Sequence, residues 1–261
     1  MAVELDDVKR DVAVANRILR ELGLAAGIRA SLGHASMRVP GDPEKFIVKG
    51  RGYRIDVLSR MRPEEMVTCD LDGNWLDGPA GSMQCHEVKI HSCIYQARAD
   101  VHSVVHVHPK YTVLMSVLGK TLVPMAQEGI RANDGQTVQQ PLPVYPHTKV
   151  VVTDEEGKEV AKLLGSGSAV LLFGHGAVTA ETSLEKAVLV MAHLEHQAEY
   201  NYYATVAAGA DHPRVPEDNI RHMAQAGSFV EPHFASRIAQ GGRPWPGGIW
   251  EYFAQTVSSD L

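Results

Sequence analysis

Val104-Val105-His106-Val107-His108-Pro109 is the stretch on which the reading of this chain turns. From Ser103 to His108 the residues are rich in β-branched side chains and stop at a proline, which predicts a strand. Successive side chains of a strand point to opposite faces. His106 and His108 therefore share one face, and Val105 and Val107 share the other. Two convergent imidazoles can be ligands for a metal ion, or a hydrogen-bonded pair beside a core strand.

Working outward, Glu87–Arg98 reads as a helix, with Ile90, Cys93, Ile94 and Ala97 on one face. Glu87 and His91 are four apart on it and share a face, as a surface pair or as part of a site. Lys110–Leu118 is predicted to be a helix that stops at Gly119. Ala169–Phe173 is an apolar strand that runs into Gly174-His175-Gly176, where the glycines let the backbone bend and expose the ring. Ser183 is a plausible N-cap for the longest helix, to about Ala208.

Toward the start, residues 5–22 have apolar side chains at helical spacing, and Ser36–Val39, Phe46–Lys49 and Met66–Asp70 read as strands. Asp72-Gly73 reads as a turn before Asn74–Leu76. Val150–Thr153 leads into a helix from near Asp154 to just before Gly165. Helices and strands interleave without a regular βαβα repeat. The expectation is an α/β protein: a three-layer α/β/α domain over residues 1–210 with a C-terminal extension over 211–261. The extension holds short helical pieces and aromatic residues such as Trp245, Trp250, Tyr252 and Phe253, which are expected to pack on a neighbouring subunit.

Composition narrows the functional classes. The chain has 261 residues, 25 Lys+Arg against 31 Asp+Glu for a formal charge of −6, with 44% hydrophobic and 21% charged residues. That is neither a disordered nor a collagen-like profile. Mild acidity without a basic block argues against nucleic-acid and anionic-membrane partners, and no apolar run reaches the length of a membrane span. The three cysteines have no CxxC spacing, so no disulfide framework or cysteine zinc site is expected. The acidic start, Met-Ala-Val-Glu-Leu-Asp-Asp, lacks the regions of a signal peptide, and the expected location is cytoplasmic. Histidine is the unusual feature: there are 13, and His86, His91, His102, His106 and His108 lie close together.

Taken in order, Glu87-x3-His91, Arg98-x-Asp100, Val-Val-His106-x-His108-Pro, Gly-His175-Gly and Ser183-Leu-Glu-Lys-Ala-Val resemble the class II aldolase/adducin family over about residues 8–208. The resemblance implies one divalent metal ion per subunit held by His106, His108 and His175, with Glu87 beside it as acid/base and His91 in support. It also implies a homo-oligomer, a tetramer or a multiple, with active sites at subunit boundaries. Three imidazoles leave the ion its charge and open positions for substrate. They do not choose among zinc, manganese, iron and cobalt.

The chain departs from the family's sugar-phosphate aldolases where those contact substrate. Their Gly-Asn-x-Ser segment is Gly33-His34-Ala35-Ser36 here, and their Thr/Ser-Gly turn is Val48-Lys49-Gly50-Arg51-Gly52. Two serines before the glutamate become Cys85-His86, and a proton-donating tyrosine falls near Gln127. Fewer hydroxyls and more fixed positive charge suit a planar carboxylate. Lys49 and Arg51 are thus expected to hold a substrate carboxylate, unless they form a solvated turn. Ser36 and His86 are expected beside the substrate, and His34 shares acid/base work with Glu87. The expected reaction is non-oxidative decarboxylation of a hydroxylated aromatic or pyridine carboxylate. An aldolase, an iron-dependent oxygenase of aromatic hydroxy acids and a non-catalytic adducin-like module remain open.

Overall fold

The computed structural model describes residues 5–126, 142–222 and 248–261. Gln127, His233 and Trp245 lie outside the described residues. Helix α1 spans Leu5–Glu21, followed by a 3-10 turn at Gly27–Arg29 and strands β1 (His34–Val39), β2 (Asp42–Arg51), β3 (Met66–Asp70), β4 (Trp75–Asp77) and β5 (Met83–Gln84). Then come α2 (Val88–Ala97), β6 (Ser103–Val107), α3 (Lys110–Val117), β7 (Val144–Tyr145), α4 (Asp154–Leu164), β8 (Ala169–Leu172), β9 (Gly176–Glu181), α5 (Leu184–Ala208) and α6 (Ile249–Val257).

The strands form one sheet in the order β4-β3-β2-β1-β6-β9-β8-β7, with β5 pairing beside β2. Every pairing is antiparallel except β7 with β8. The sheet lies between two helical layers. Ala35, Ile47, Val105, Val107 and Ala177 pack with α1, α3 and α5 on one face. Phe46, Val48, Val104, Val170 and Val178 pack with α2 and α4 on the other. The expected three layers are present, and period-two alternation assigns the residues to them.

Strand β9 is an element the sequence reading does not anticipate. Its six residues, Gly176-Ala-Val-Thr-Ala-Glu181, pair with β8 and β6. The histidine loop is consequently the turn of a β-hairpin rather than a lead-in to the long helix. Cys69, Cys85 and Cys93 are free and buried. Among the described residues, no helix is long and apolar enough to cross a membrane.

Helix α6 packs Trp250, Phe253, Ala254 and Val257 against the same layer as α1, while Tyr252 is exposed. The surface under these four side chains is that of their own chain, formed with α1. Arg17 of α1 fastens the end. Its Nε donates to the Met61 carbonyl at 2.7 Å and its Nη1 to the Val257 carbonyl at 2.8 Å, and it pairs with Asp260. Arg17 is buried, and removing it leaves the buried Met61 carbonyl without its donor. Arg17→Leu is expected to cost about 2–4 kcal/mol, read as a lower urea midpoint. An unchanged midpoint would show that α6 docks without the guanidinium.

Candidate metal centre

Strand β6 runs between β1 and β9, with His106 in register with His34 on one side and Val178 on the other. The His106 ring is completely buried, so both of its nitrogens need partners. Nδ1 lies 3.0 Å from the Ala177 carbonyl. A carbonyl only accepts, which places the His106 proton on Nδ1 and leaves the Nε2 lone pair facing the site. Nε2 is 3.1 Å from His108 Nε2 and 3.2 Å from Glu87 Oε2. Glu87 Oε2 is in turn 3.5 Å from His175 Nε2.

The Glu87 side chain and the backbone on either side of His108 and His175 are held by hydrogen bonds. Glu87 stands at the N-cap position of α2, and its Oε1 accepts from the Val151 N–H at 3.0 Å, leaving Oε2 for the site. His108 follows the end of β6, and its carbonyl accepts from Arg29 Nη1 at 2.8 Å. Just beyond it, the Glu195 carboxylate accepts from the N–H groups of Tyr111 and Thr112 at 2.9 and 2.8 Å. A carboxylate at the start of α3 satisfies donors that the helix leaves free. His175 sits in the β8–β9 turn, where Gly174 has φ +61° and its N–H donates to Ser116 Oγ at 3.1 Å. Gly176 is required by space, because a Cβ there would lie 2.4 Å from the Val107 carbonyl oxygen and 3.0 Å from His106 Cε1.

The donor set fits a divalent ion. Ligand atoms of Glu87, His106, His108 and His175 all lie within 4.8 Å of one another. Atoms sharing one tetrahedral ion at about 2.0–2.1 Å stand about 3.3–3.4 Å apart, and the separations of 3.1, 3.2 and 3.5 Å bracket that distance. Burial, then the neighbouring His106 and His175, pulls His108 down to about 3. It is therefore neutral, as a ligand must be, at ordinary pH. Burial on its own would raise the Glu87 carboxyl, but His106, His175 and His34 outweigh it and hold the group well below the usual carboxylate range.

The other expected site residues divide by surroundings. The His34 ring is 5.2 Å from that of His106 and is buried; burial, then His91 and His106, keeps it neutral. Ser36 is fully buried and touches His91 and Tyr95. By alternation Lys49 shares the sheet face of Ile47, and it is buried in an ion pair with Asp56. Arg51 reaches the same carboxylate at 3.3 Å and remains partly exposed. His86 is exposed.

Sequence reasoning did not single out Arg29, Asp56, Tyr95, Glu195 or the Val151 amide. Tyr95 carried a usable signal, since Glu87, His91 and Tyr95 follow one another at intervals of four. The backbone amide carried none.

Residues 10–202 match the family described as the class II aldolase and adducin N-terminal domain, and the chain belongs to that family. It is similar to a 3,4-dihydroxyphthalate decarboxylase from Arthrobacter keyseri, 31% identical over 208 residues that cover 76% of this chain and 79% of that one. Among solved structures, an aldolase II superfamily protein from Pseudomonas syringae superposes with a TM-score of 0.76 at 22% identity, covering 99% and 94% of the two chains. An L-fuculose 1-phosphate aldolase from Glaciozyma antarctica PI12 gives a TM-score of 0.72 at 21% identity, covering 97% and 89%. At such identities the structural likenesses establish the shared fold.

Two outcomes test the centre. His108→Ala is expected to reduce divalent metal retained after dialysis from about one ion per chain to background; stoichiometric retention would exclude His108 as a ligand. The second outcome concerns the metal-free chain. His91 and His108 are both pulled down to about 3 by burial first and then by neighbouring histidines. In the unfolded chain they take up protons below about 6.5. The unfolded state thus binds more protons between these values. Stability is complete above about 6.5 and falls as pH drops toward 3, by up to about 1.4 kcal/mol per pH unit for each histidine. Urea midpoints measured across that window should show the fall, and His108→Ala should make it shallower.

Proposed function

We propose that this chain is a divalent-metal-dependent lyase that decarboxylates a hydroxylated aromatic or pyridine carboxylate. The observation that carries the reading is the neutral, buried imidazole of His34, directly across the sheet from His106, at the position where the sugar-phosphate aldolases have an amide. The Arthrobacter relative named as a dihydroxyphthalate decarboxylase agrees with this choice. A divalent ion held by His106, His108 and His175 supplies a fixed positive charge that draws electrons toward a substrate oxygen.

Glu87 carries the proton. It is ionised in the resting site, and a divalent ion held beside it would acidify a substrate hydroxyl enough for a carboxylate to take its proton. Its Oε2 takes the proton of a substrate hydroxyl ortho to the carboxylate and delivers it to the ring carbon that bears the carboxylate. A C–H bond forms there, the C–CO2 bond breaks, and its electron pair returns to the ring. The products are carbon dioxide and a phenolate, which recovers a proton from water.

Arg51 is the better placed of the two basic residues to grip a carboxylate, because Lys49 is buried against Asp56. Two cations and one carboxylate leave this group one net positive charge. Strand β5 pairs Arg51 with Met83 and Gly50 with Gln84, which brings the Arg51 end of β2 beside the segment Cys85-His86-Glu87. Arg51 and the exposed His86 then flank the substrate entrance in this reading, while Lys49 orients Arg51 through Asp56.

Metal-loaded protein is expected to release carbon dioxide from at least one member of a panel of hydroxybenzoates, dihydroxyphthalates and hydroxypyridine carboxylates. Glu87→Gln should retain metal on the three imidazoles and turn over about a hundredfold or more slowly. Formation of an aldehyde from a ketose 1-phosphate, with no carbon dioxide from the panel, would sink this proposal in favour of an aldolase.

A further inference from the structure

Behind the metal centre four buried side chains form a line. His34 Nδ1 is 2.6 Å from His91 Nε2, His91 Nδ1 is 2.6 Å from Ser36 Oγ, and Ser36 Oγ is 2.7 Å from the Tyr95 hydroxyl. Ser36 and His91 are fully buried and Tyr95 nearly so. Cys85 Sγ lies close enough to the two imidazoles to suggest a second metal site. The 2.6 Å approach of the two nitrogens argues otherwise. It is well inside the about 3.3 Å that two ligands of one ion keep, and within the range of a hydrogen bond. Burial also pushes the Cys85 thiol up, so it stays protonated.

The direction of each hydrogen bond follows from Tyr95. A phenol has one proton, and a buried O–H that donates to nothing is costly, so Tyr95 donates to Ser36 Oγ. Ser36 then has its own proton to place. His91 Nδ1 is 2.6 Å away, whereas the Val104 carbonyl is at 3.4 Å, beyond a normal O–H···O distance. Ser36 therefore donates to His91 Nδ1. This puts the His91 proton on Nε2, where it is donated to His34 Nδ1. The His34 proton is left on Nε2, the nitrogen not engaged by His91.

We propose that Tyr95, Ser36 and His91 are positioning residues that lock His34 as the Nε2–H tautomer, so that it presents a hydrogen-bond donor to a substrate oxygen beside the metal centre. The locked tautomer stands on the hydrogen bonds alone; its use on substrate rests on the decarboxylase reading. A neutral, fixed N–H stabilises negative charge that develops on the substrate oxygen without itself losing a proton. Ser36, expected beside the substrate, acts in this account two hydrogen bonds behind His34.

The test is ¹⁵N NMR of histidine-labelled, zinc-loaded protein, with the His34 and His91 signals assigned by His34→Gln and His91→Asn. For both rings the expected result is an unprotonated Nδ1 and a protonated Nε2. A protonated Nδ1 on His34 would overturn the proposal, whatever the enzyme's substrate. Ser36→Ala should release the His91 tautomer and lower kcat about tenfold or more, with KM and metal content little changed. Ser36→Thr, which keeps the hydroxyl, should restore both signals and rate. Tyr95→Phe removes one oxygen from the line, gives the same direction of change, and serves if Ser36→Ala fails to fold. If the tautomers are as stated but no aromatic carboxylate is decarboxylated, the positioning role stands and the decarboxylase reading fails.

Discussion

The 3.0 Å hydrogen bond between His106 Nδ1 and the Ala177 carbonyl underlies the rest of the site. A buried imidazole with no such partner could present either nitrogen, and a metal centre built on it would have no defined direction. The bond exists because β9 pairs with β6 in the register that sets Ala177 opposite Val107. That register needs a glycine at 176, since any Cβ there would press on the Val107 carbonyl and the His106 ring. Backbone pairing, a missing side chain and a tautomer are thus one constraint seen at three levels. His108 and Glu87 approach the Nε2 that this constraint aims at them.

The sheet also separates scaffold from chemistry. On the α1 and α5 side, Ala35, Ile47, Val105 and Val107 build an apolar layer. On the α2 side the same strands turn His34, Ser36 and His106 inward, and α2 meets them with Glu87, His91 and Tyr95, one from each successive turn. Buried polar groups at such a helix–sheet interface are tolerated only when paired, and a fully paired network is stiff. Arg38 closes the far end, with its guanidinium 4.7 Å from the centre of the Tyr95 ring and Nη2 donating to the Tyr95 carbonyl at 2.9 Å. The polar line therefore runs from the metal centre to a buried cation without reaching water.

Much of this was legible in periodicity, and the remainder depended on how separate periodicities meet. Period two put His106 and His108 together, and a spacing of four put Glu87 with His91. His175 was reached through family resemblance, because nothing local links a glycine-flanked histidine to a strand far earlier in the chain. The β9 strand escaped notice because its small residues follow a glycine turn and merge into the cap of α5. His34-x-Ser36 and His91-x3-Tyr95 each sit on one face of their own element. That those faces oppose each other is a tertiary fact, decided by how α2 packs across the sheet. Asp56, which binds Lys49 and Arg51, lies in an irregular segment with no period to read. The Val151 amide, which fixes Glu87, is invisible in principle, since every residue except proline has one.

Charge offers a further argument about substrate. With Arg29 occupied at the His108 carbonyl and countered by Glu195 nearby, the other charged groups to count are few. Lys49, Arg51 and Asp56 sum to one positive charge, Glu87 is negative, and the imidazoles of His34 and His108 are neutral. A divalent ion in the centre would bring the total to two positive charges. A hydroxylated aromatic acid that yields its hydroxyl proton to Glu87 while a carboxylate meets Arg51 places its anionic oxygens in one plane. Imidazole N–H and guanidinium donors are planar too. A phosphate spreads its charge over a tetrahedron and is best met by several donors converging from a helix terminus or a glycine-rich turn. In the proposed reaction the two donors are the planar Arg51 guanidinium and the His34 imidazole, and the tautomer of His34 decides whether that ring offers an N–H to the oxygen where charge accumulates.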